Sequence, residues 1–578
     1  MLLPSQRILR STSGYAILIA LFAFFGVFLI YPIALTVRGA FLENLPDGST
    51  RFTLEHLRLI FEDPTLLRAM RNSLFMAATT TSVCILIALP LAILSAKYIY
   101  PLKGVFNAMI LVPMILPPFV GAIGVQALLG REGAINTLLG THIDVIGQAK
   151  FWGCVLVDSL HLYPIIYLNA TATLANLDPA LEEAADNLGC GPWRRFFRIT
   201  LPLIRPGLFA GATIVFIWSF TELGTPLVFD YTSVVPVKIF TGLKEVETSP
   251  QPYALVVVML AAAVAIYAIG KGVFGSRGHA MYSKASRAGG ERVLTGPGAW
   301  LATGACALVC LAALMPHIGV ILTAVSAPGQ WYKSVLPARF TSQNFVLALS
   351  HPDAFNAIVN SLRLSSLAVC VALLLGLLIA YVIVRTPIRG RGLLDSLSML
   401  PLAVPGLVVA FGYVAMTLRW PFGEGNPLHF ISVLGATPNP VPLIAAAYAV
   451  RRLPYIVRAT VAGLEQTSGE LEEAAMNLGA SRIYAVRRVI LPLITANLVA
   501  GGLLAFSFAM LAVSEPLILA QQQDQFPLTR AIYAFLNRLG DGPYIASAMG
   551  VWGMALLAVT LVGASMLLGK KLGSIFRV

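Results

Sequence analysis

Two groups of residues in this chain have types and spacings that could carry chemistry. The first is a charged island that occurs twice: DPALEEAADNLGCGPWRRFFRITLPLIRPG from Asp178, and SGELEEAAMNLGASRIYAVRRVILPLITAN from Ser468. The second is a set of ionisable residues inside or beside long apolar runs: Asp158, His161, Glu222, Arg458 and Glu515. Charge placed in hydrocarbon is expensive, so each of these raises a functional reading by default. Asp158 and His161 stand at i and i+3 of one helix, where pairing with each other competes with contact to a solute. Glu222 and Glu515 precede Pro226 and Pro516 near the outer ends of equivalent spans, where a side chain either lines a pathway or reaches the membrane interface.

Neither group spells an enzyme, and no catalytic residue is nominated. No GxxxxGK[ST] occurs; Gly270-Lys271-Gly272 and Gly569-Lys570-Lys571 lack both the preceding glycine and the Ser/Thr that would hold magnesium. The chain itself is therefore expected to carry no cofactor and not to cradle ATP. The seven histidines form no HExxH, and Cys306 and Cys310 share a helix face without His or acidic neighbours, so no metal ligand is assigned.

The elements that position these groups follow from composition. Of 578 residues 57% are hydrophobic and only 12% charged, and the mean hydropathy is +0.79. Soluble chains carry about 25% charged residues, so this is an integral membrane protein. The apolar runs are roughly 20 to 25 residues long, the length a helix needs to cross a hydrocarbon core of about 30 Å. The expectation is an all-α protein with about twelve transmembrane helices, among them 105–128, 393–417 and 441–462. The run Gly14 to Val37 is too long for a signal-peptide core and reads as a retained first span.

The halves repeat. Asn72-Ser73-Leu74 returns as Asn360-Ser361-Leu362, and LVPMILPPFVGAIG from Leu111 returns as MLPLAVPGLVVAFG from Met399. An even number of spans per half gives two parallel six-helix repeats, 1–275 and 298–578, joined by a basic, Gly- and Ser-rich linker at 276–297. With both termini inside, the islands and the linker share one side and that side carries the surplus of Lys and Arg, which makes it cytoplasmic. The net charge of +13 reflects this topology; no basic cluster interleaved with aromatics suggests a nucleic acid. The repeated prolines Pro113, Pro117 and Pro118, and Pro401 and Pro405, interrupt equivalent helices. They either kink them for packing or expose backbone to a translocation path.

Within the first island Asp178-Pro179 is a helix start and Gly189 a stop. In the second, Ser468 can cap, Thr467 and Glu470 have capping-box spacing, and Gly479 closes the helix. Each helix is too short to span and too polar for lipid; it either docks into a groove on a soluble partner or is an amphipathic surface helix in a cytoplasmic loop.

Both islands fit one pattern: Glu-Ala-Ala, three residues, Gly, nine residues, Ile, one residue, Leu-Pro. The first copy meets it at Glu183-Ala184-Ala185, Gly189, Ile199 and Leu201-Pro202. The second meets it at Glu473-Ala474-Ala475, Gly479 and Leu491-Pro492, with Val489 for Ile; Glu182 and Glu472 precede each. This resembles the EAA loop of permease subunits of binding-protein-dependent ABC importers of the type I fold. The resemblance implies that Glu182, Glu183, Ala184, Ala185, Gly189, Leu201 and Pro202, with Glu472, Glu473, Ala474, Ala475, Gly479, Leu491 and Pro492, form two coupling helices. They would dock, in a bacterial inner membrane, on a homodimer of ATP-binding subunits, which would hold the ATP and Mg. A periplasmic or extracellular solute-binding protein would deliver the solute, and Pro113, Pro117, Pro401, Pro405, Glu222 and Glu515 are candidates to line its pathway. Fused permeases of this kind resemble those of ferric iron systems, with thiamine, phosphonates, sugar phosphates and polyamines as alternatives. An ion-coupled secondary transporter acting alone is the rival class.

Overall fold

A break at each repeated proline pair is the first thing that long apolar runs alone do not dictate. The computed structural model describes residues 4–44, 49–142, 144, 147–274, 292–435 and 437–568. Most of the linker expected at 276–297, and the tail from residue 569, lie outside the described residues. Among the described residues nine helices are long and apolar enough to cross a membrane, or up to eleven if each of two bent pairs is one span.

The expected spans 105–128 and 393–417 are those bent pairs. Lys103–Ile115 meets Pro118–Leu139 at 100°, and Arg391–Ala403 meets Gly406–Thr417 at 101°. The cause is local: Leu116 and Val404, each before a proline, are extended, and so are Pro117 and Pro405 themselves. A proline ring excludes its predecessor from the helical region. The expected span 441–462 is a continuous helix, Val441–Glu465, but it carries Arg451, Arg452 and Arg458 and is not among the nine.

Packing divides the chain into two compact units. One comprises residues up to 63, 238–260 and those from 345 on; the other comprises 64–237 and 261–344. The units are a different partition from the duplicated halves. The first span packs with helices of the second half, and Gly296–Val325 packs with helices of the first.

In the unit that contains the first island, Pro64–Lys97 and Leu201–Phe220 both pack on Lys150–Ala175, and Gly296–Val325 packs on Pro118–Leu129. The last contact is close. A Cβ at Gly124 would collide with the carbonyl oxygen of Pro316 and lie 2.7 Å from the nitrogen of Val320. In the other unit Pro352–Arg385 and Leu491–Met510 pack on Val441–Glu465, and Tyr31–Phe41 packs on Gly406–Thr417. There a Cβ at Gly412 would lie 2.8 Å from both Cβ and O of Pro32. Small residues let helices approach where lipid offers no competing hydrophobic force.

Three prolines reshape the helix that precedes them. Tyr31-Pro32, Leu201-Pro202 and Leu491-Pro492 each follow a five-residue π-helical turn, Gly26–Ile30, Phe196–Thr200 and Val486–Ile490. In each, the N–H before the proline donates five residues back, to Gly26, Phe196 and Val486. Proline has no N–H and its ring abuts the carbonyl four residues earlier, so the helix widens instead of breaking. The carbonyl this leaves at Phe28 accepts a hydrogen bond from the Tyr413 hydroxyl at 2.8 Å.

Gly124→Val should lower the thermal unfolding midpoint of the purified chain, because overpacking costs about 1–3 kcal/mol and backbone cannot move aside cheaply. Gly104→Ala, where a Cβ meets nothing within 4 Å, should leave the midpoint in place. Equal midpoints for the two variants would remove the close approach.

Candidate functional site

Each island begins and ends by the same local chemistry. The first forms the helix Pro179–Asn187, with the Asp178 carboxylate accepting from the Ala180 N–H at 3.0 Å. The second forms Glu470–Asn477, where the Glu470 N–H donates to Ser468 Oγ at 3.2 Å. The expected pairing of Thr467 with Glu470 is not made, because Thr467 Oγ1 donates to the Gly463 carbonyl of the preceding helix at 2.9 Å. Gly189 and Gly479 end the helices at φ +74° and +94°, a region that penalises any Cβ. The next N–H groups, of Cys190 and Ala480, reach back to the carbonyls of Ala185 and Ala475.

The adjacent glutamates point in opposite directions. Glu182 is tied to Lys97 Nζ and accepts from Thr200 Oγ1 at 2.7 Å, which joins the island to the ends of two long helices. Burial alone would raise the Glu182 carboxyl, but the bonds from Lys97 and Thr200 outweigh it and hold the group below the ordinary glutamate value. Glu472 is buried and accepts from the Tyr381 hydroxyl. Close by, Arg385 donates to the carbonyls of Leu464 (3.0 Å) and Thr467 (2.6 Å), closing the end of Val441–Glu465. Asp186 is further held by Arg195 and Arg292.

Glu183 and Glu473 are exposed, as are Ala184 and Ala474, while Ala185 is buried and Ala475 half-buried. Beside them stand Leu188 and Leu478, 87% and 90% exposed, and Leu181 and Leu471 at 41% and 47%. The leucines were not singled out from sequence, although Asn-Leu-Gly recurs in both islands at 187–189 and 477–479. An apolar side chain held this far into water on a rigid helix marks a contact surface. Leu201-Pro202 and Leu491-Pro492 lie behind the islands, at the π-helical turns.

The buried charges resolve differently in the two units. Asp158 and His161 do not pair: Asp158 accepts from Ser219 Oγ at 3.3 Å, and His161 Nδ1 meets the Pro113 carbonyl at 2.9 Å. Glu222 accepts from the N–H groups of Gly224 and Thr225, at 3.1 and 3.2 Å, and so caps the short helix Gly224–Val228. In the other unit Glu515, 1% exposed, accepts from Arg451 at 2.6 Å. Neighbouring Arg452 donates to the Phe508 carbonyl at 3.0 Å. A Cβ at Gly406 would collide with Arg451 and lie 3.0 Å from Glu515 Oε1, so this ion pair lies against the break after Pro405. Arg451 and Arg452 were not singled out from sequence; their signal was an Arg-Arg pair in the middle of an apolar run. Arg458 lies 3.8 Å from Asp395. Pro113 and Pro117 line a small cavity with His161 and His317 at the other break, and Pro401 is buried in the limb that ends at Val404. Among the described residues no group of three or more His, Cys, Asp or Glu could hold a metal.

With this geometry in view, the chain can be set beside known proteins. The profile of the family described as "Binding-protein-dependent transport system inner membrane component" matches twice, at residues 88–278 and 372–566. A ferric transport system permease protein FbpB of Actinobacillus pleuropneumoniae is 26% identical over 93% of this chain and 75% of its own length. A putative ferric transport system permease protein FbpB 1 of Haemophilus influenzae is 26% identical over 84% of this chain and 75% of its own. A molybdenum transport system permease protein ModB of Escherichia coli is 30% identical over 27% of this chain and 71% of its own.

Breaking a buried ion pair by removing one partner costs about 3–5 kcal/mol, whereas replacing both with apolar groups is close to neutral. Arg451→Met should therefore destabilise the chain strongly, and adding Glu515→Met should recover most of the loss in a double-mutant cycle of unfolding midpoints. Additive losses would mean that the pair is not coupled. Limited trypsinolysis checks the islands: Glu182→Ala should speed cleavage after Arg194 and Arg195, and Glu183→Ala should leave the rate alone.

Proposed function

Because the chain belongs to the family of binding-protein-dependent transport system inner membrane components, we propose that it works as the fused permease of an ATP-driven importer. In this reading its two islands are coupling helices docked on a pair of ATP-binding subunits. The observation that carries it is the opposed glutamates. Glu182 and Glu472 fasten each island to its bundle, which leaves Glu183, Glu473, Leu188 and Leu478 projecting to a partner. An island so fastened is a lever. Displacement by the ATPase passes through Lys97 and Thr200 to Pro64–Lys97 and Leu201–Phe220 in one unit, and through Tyr381 to Pro352–Arg385 in the other. Counting both bent pairs and Val441–Glu465 as spans gives twelve, six per half, with termini and islands on the cytoplasmic side. A binding protein would deliver the solute at the opposite face, and no ATP hydrolysis would occur on this chain.

The cargo in this reading is ferric iron, supported by the named function of two relatives aligned over most of the chain. The molybdenum permease matches a shorter segment at higher identity, which favours an oxyanion or phosphonate as the second reading. Membership of the importer family removes the ion-coupled carrier.

Glu183→Lys combined with Glu473→Lys should abolish solute-stimulated ATP hydrolysis by the assembled complex while leaving the chain folded. Stimulation at the unmutated level would end the coupling assignment. Uptake of radioactive ferric iron into vesicles with ATP inside and the binding protein outside, set against molybdate and a phosphonate, checks the cargo.

A further inference from the structure

A sizeable cavity lies within one unit, at the end away from its island. The first span, Gly14–Phe41, starts beside the segment after Arg385: Gly14 abuts Ile388, and Gly390 abuts Leu18. Arg385 itself binds Thr467, next to the second island. At 1.5 Å per residue the 28-residue span puts Phe41 roughly 40 Å away, at the opposite face. There a cavity of about 510 Å³ opens among the end of the first span, the segment before Gln251 and the end of Gly406–Thr417. That volume is in the range of small-molecule sites and far larger than a single ion needs.

Its chemistry is of mixed sign. Arg38, Arg419, Glu43 and Glu247 all line it, and among the described residues none of the four is in an ion pair. Tyr253 is a fixed wall. Its ring stands edge-on to Phe411 at 5.2 Å, a Cβ at Gly39 would lie 2.7 Å from its Cγ, and it is within electrostatic reach of both Arg419 and Glu247. His56 is oriented by the bond between its Nδ1 and the Ala40 carbonyl at 3.1 Å, which leaves Nε2 as the nitrogen available to a ligand. A bare anion would meet two carboxylates here and a bare cation two guanidiniums. A ligand carrying both signs satisfies all four groups, and guanidinium forks suit carboxylate or phosphonate oxygens.

We propose that this cavity binds a small zwitterion, its acidic end on Arg38 and Arg419 and its cationic end on Glu43 and Glu247. Binding stands on the cavity alone; its role as the first station for cargo rests on the importer reading. The zwitterion is either the cargo or an organic ligand that accompanies a metal.

The test is calorimetry on the full chain in lipid nanodiscs without ATPase, using 3-aminopropylphosphonate, propylphosphonate and propylamine. The zwitterion should bind at least tenfold more tightly than either single-charge analogue. Arg38→Gln with Arg419→Gln should cut its affinity at least tenfold, and Glu43→Gln with Glu247→Gln should erase its advantage over propylphosphonate. Thermal midpoints confirm that these exposed substitutions leave the chain folded. Equal affinity for the three probes, or zwitterion binding indifferent to both double substitutions, overturns the proposal. In the assembled complex, uptake of labelled 3-aminopropylphosphonate identifies it as cargo, and iron uptake that it stimulates without entering identifies the accompanying ligand. Because the calorimetry needs no ATPase, its failure is separate from a failure of the island variants to block ATP hydrolysis.

Discussion

A polar group in hydrocarbon must find a partner inside the protein, and most of what is distinctive in this structure answers that demand. Proline breaks the demand locally by withholding an N–H. The π-helical turns before Pro32, Pro202 and Pro492 answer by moving the acceptor carbonyl back one residue, and Tyr413 answers at Phe28 by supplying a hydroxyl. At Pro117 and Pro405 the chain cannot stay helical at all and turns through about 100°. These turns bring the limb after each break against a span from the other half of the sequence, at Gly124 with Pro316 and at Gly412 with Pro32.

The same demand governs charge. Arg451 and Glu515 satisfy each other beside Gly406, and Glu222 is satisfied by two backbone N–H groups at a helix start. The duplicated halves have diverged at these positions. His161 occupies the place of Arg451, and Thr225 that of Glu515, so one unit holds an ion pair at its break while in the other the histidine bonds the Pro113 carbonyl and the threonine N–H bonds Glu222. The two halves repeat in backbone and differ in the chemistry of their centres.

The islands apply the rule at the membrane surface, where water is available and selection can leave side chains free. One glutamate of each pair is taken up by the bundle, and its neighbour is left in solvent with a leucine almost wholly exposed beside it. A rigid attachment on one side and an unfilled contact surface on the other are what a mechanical link requires.

The sequence by itself determined the membrane class, the duplication, the two islands and their ends. The class and the duplication rest on run length and on a repeat of the residue pattern, and the island ends on immediate neighbours: Asp178 before Pro179, and glycine where φ is positive at 189 and 479. Tertiary structure decided which glutamate turns inward, because Lys97 and Tyr381 stand 85 and 91 positions from their partners. It also decided that Arg451 meets Glu515 across 64 positions, that Asp158 bonds Ser219 instead of His161, and that the first span packs with the second half. Periodicity specifies which face of a helix is apolar. It carries no information on which distant helix will cover that face, so contacts between remote segments appear only once the helices have packed.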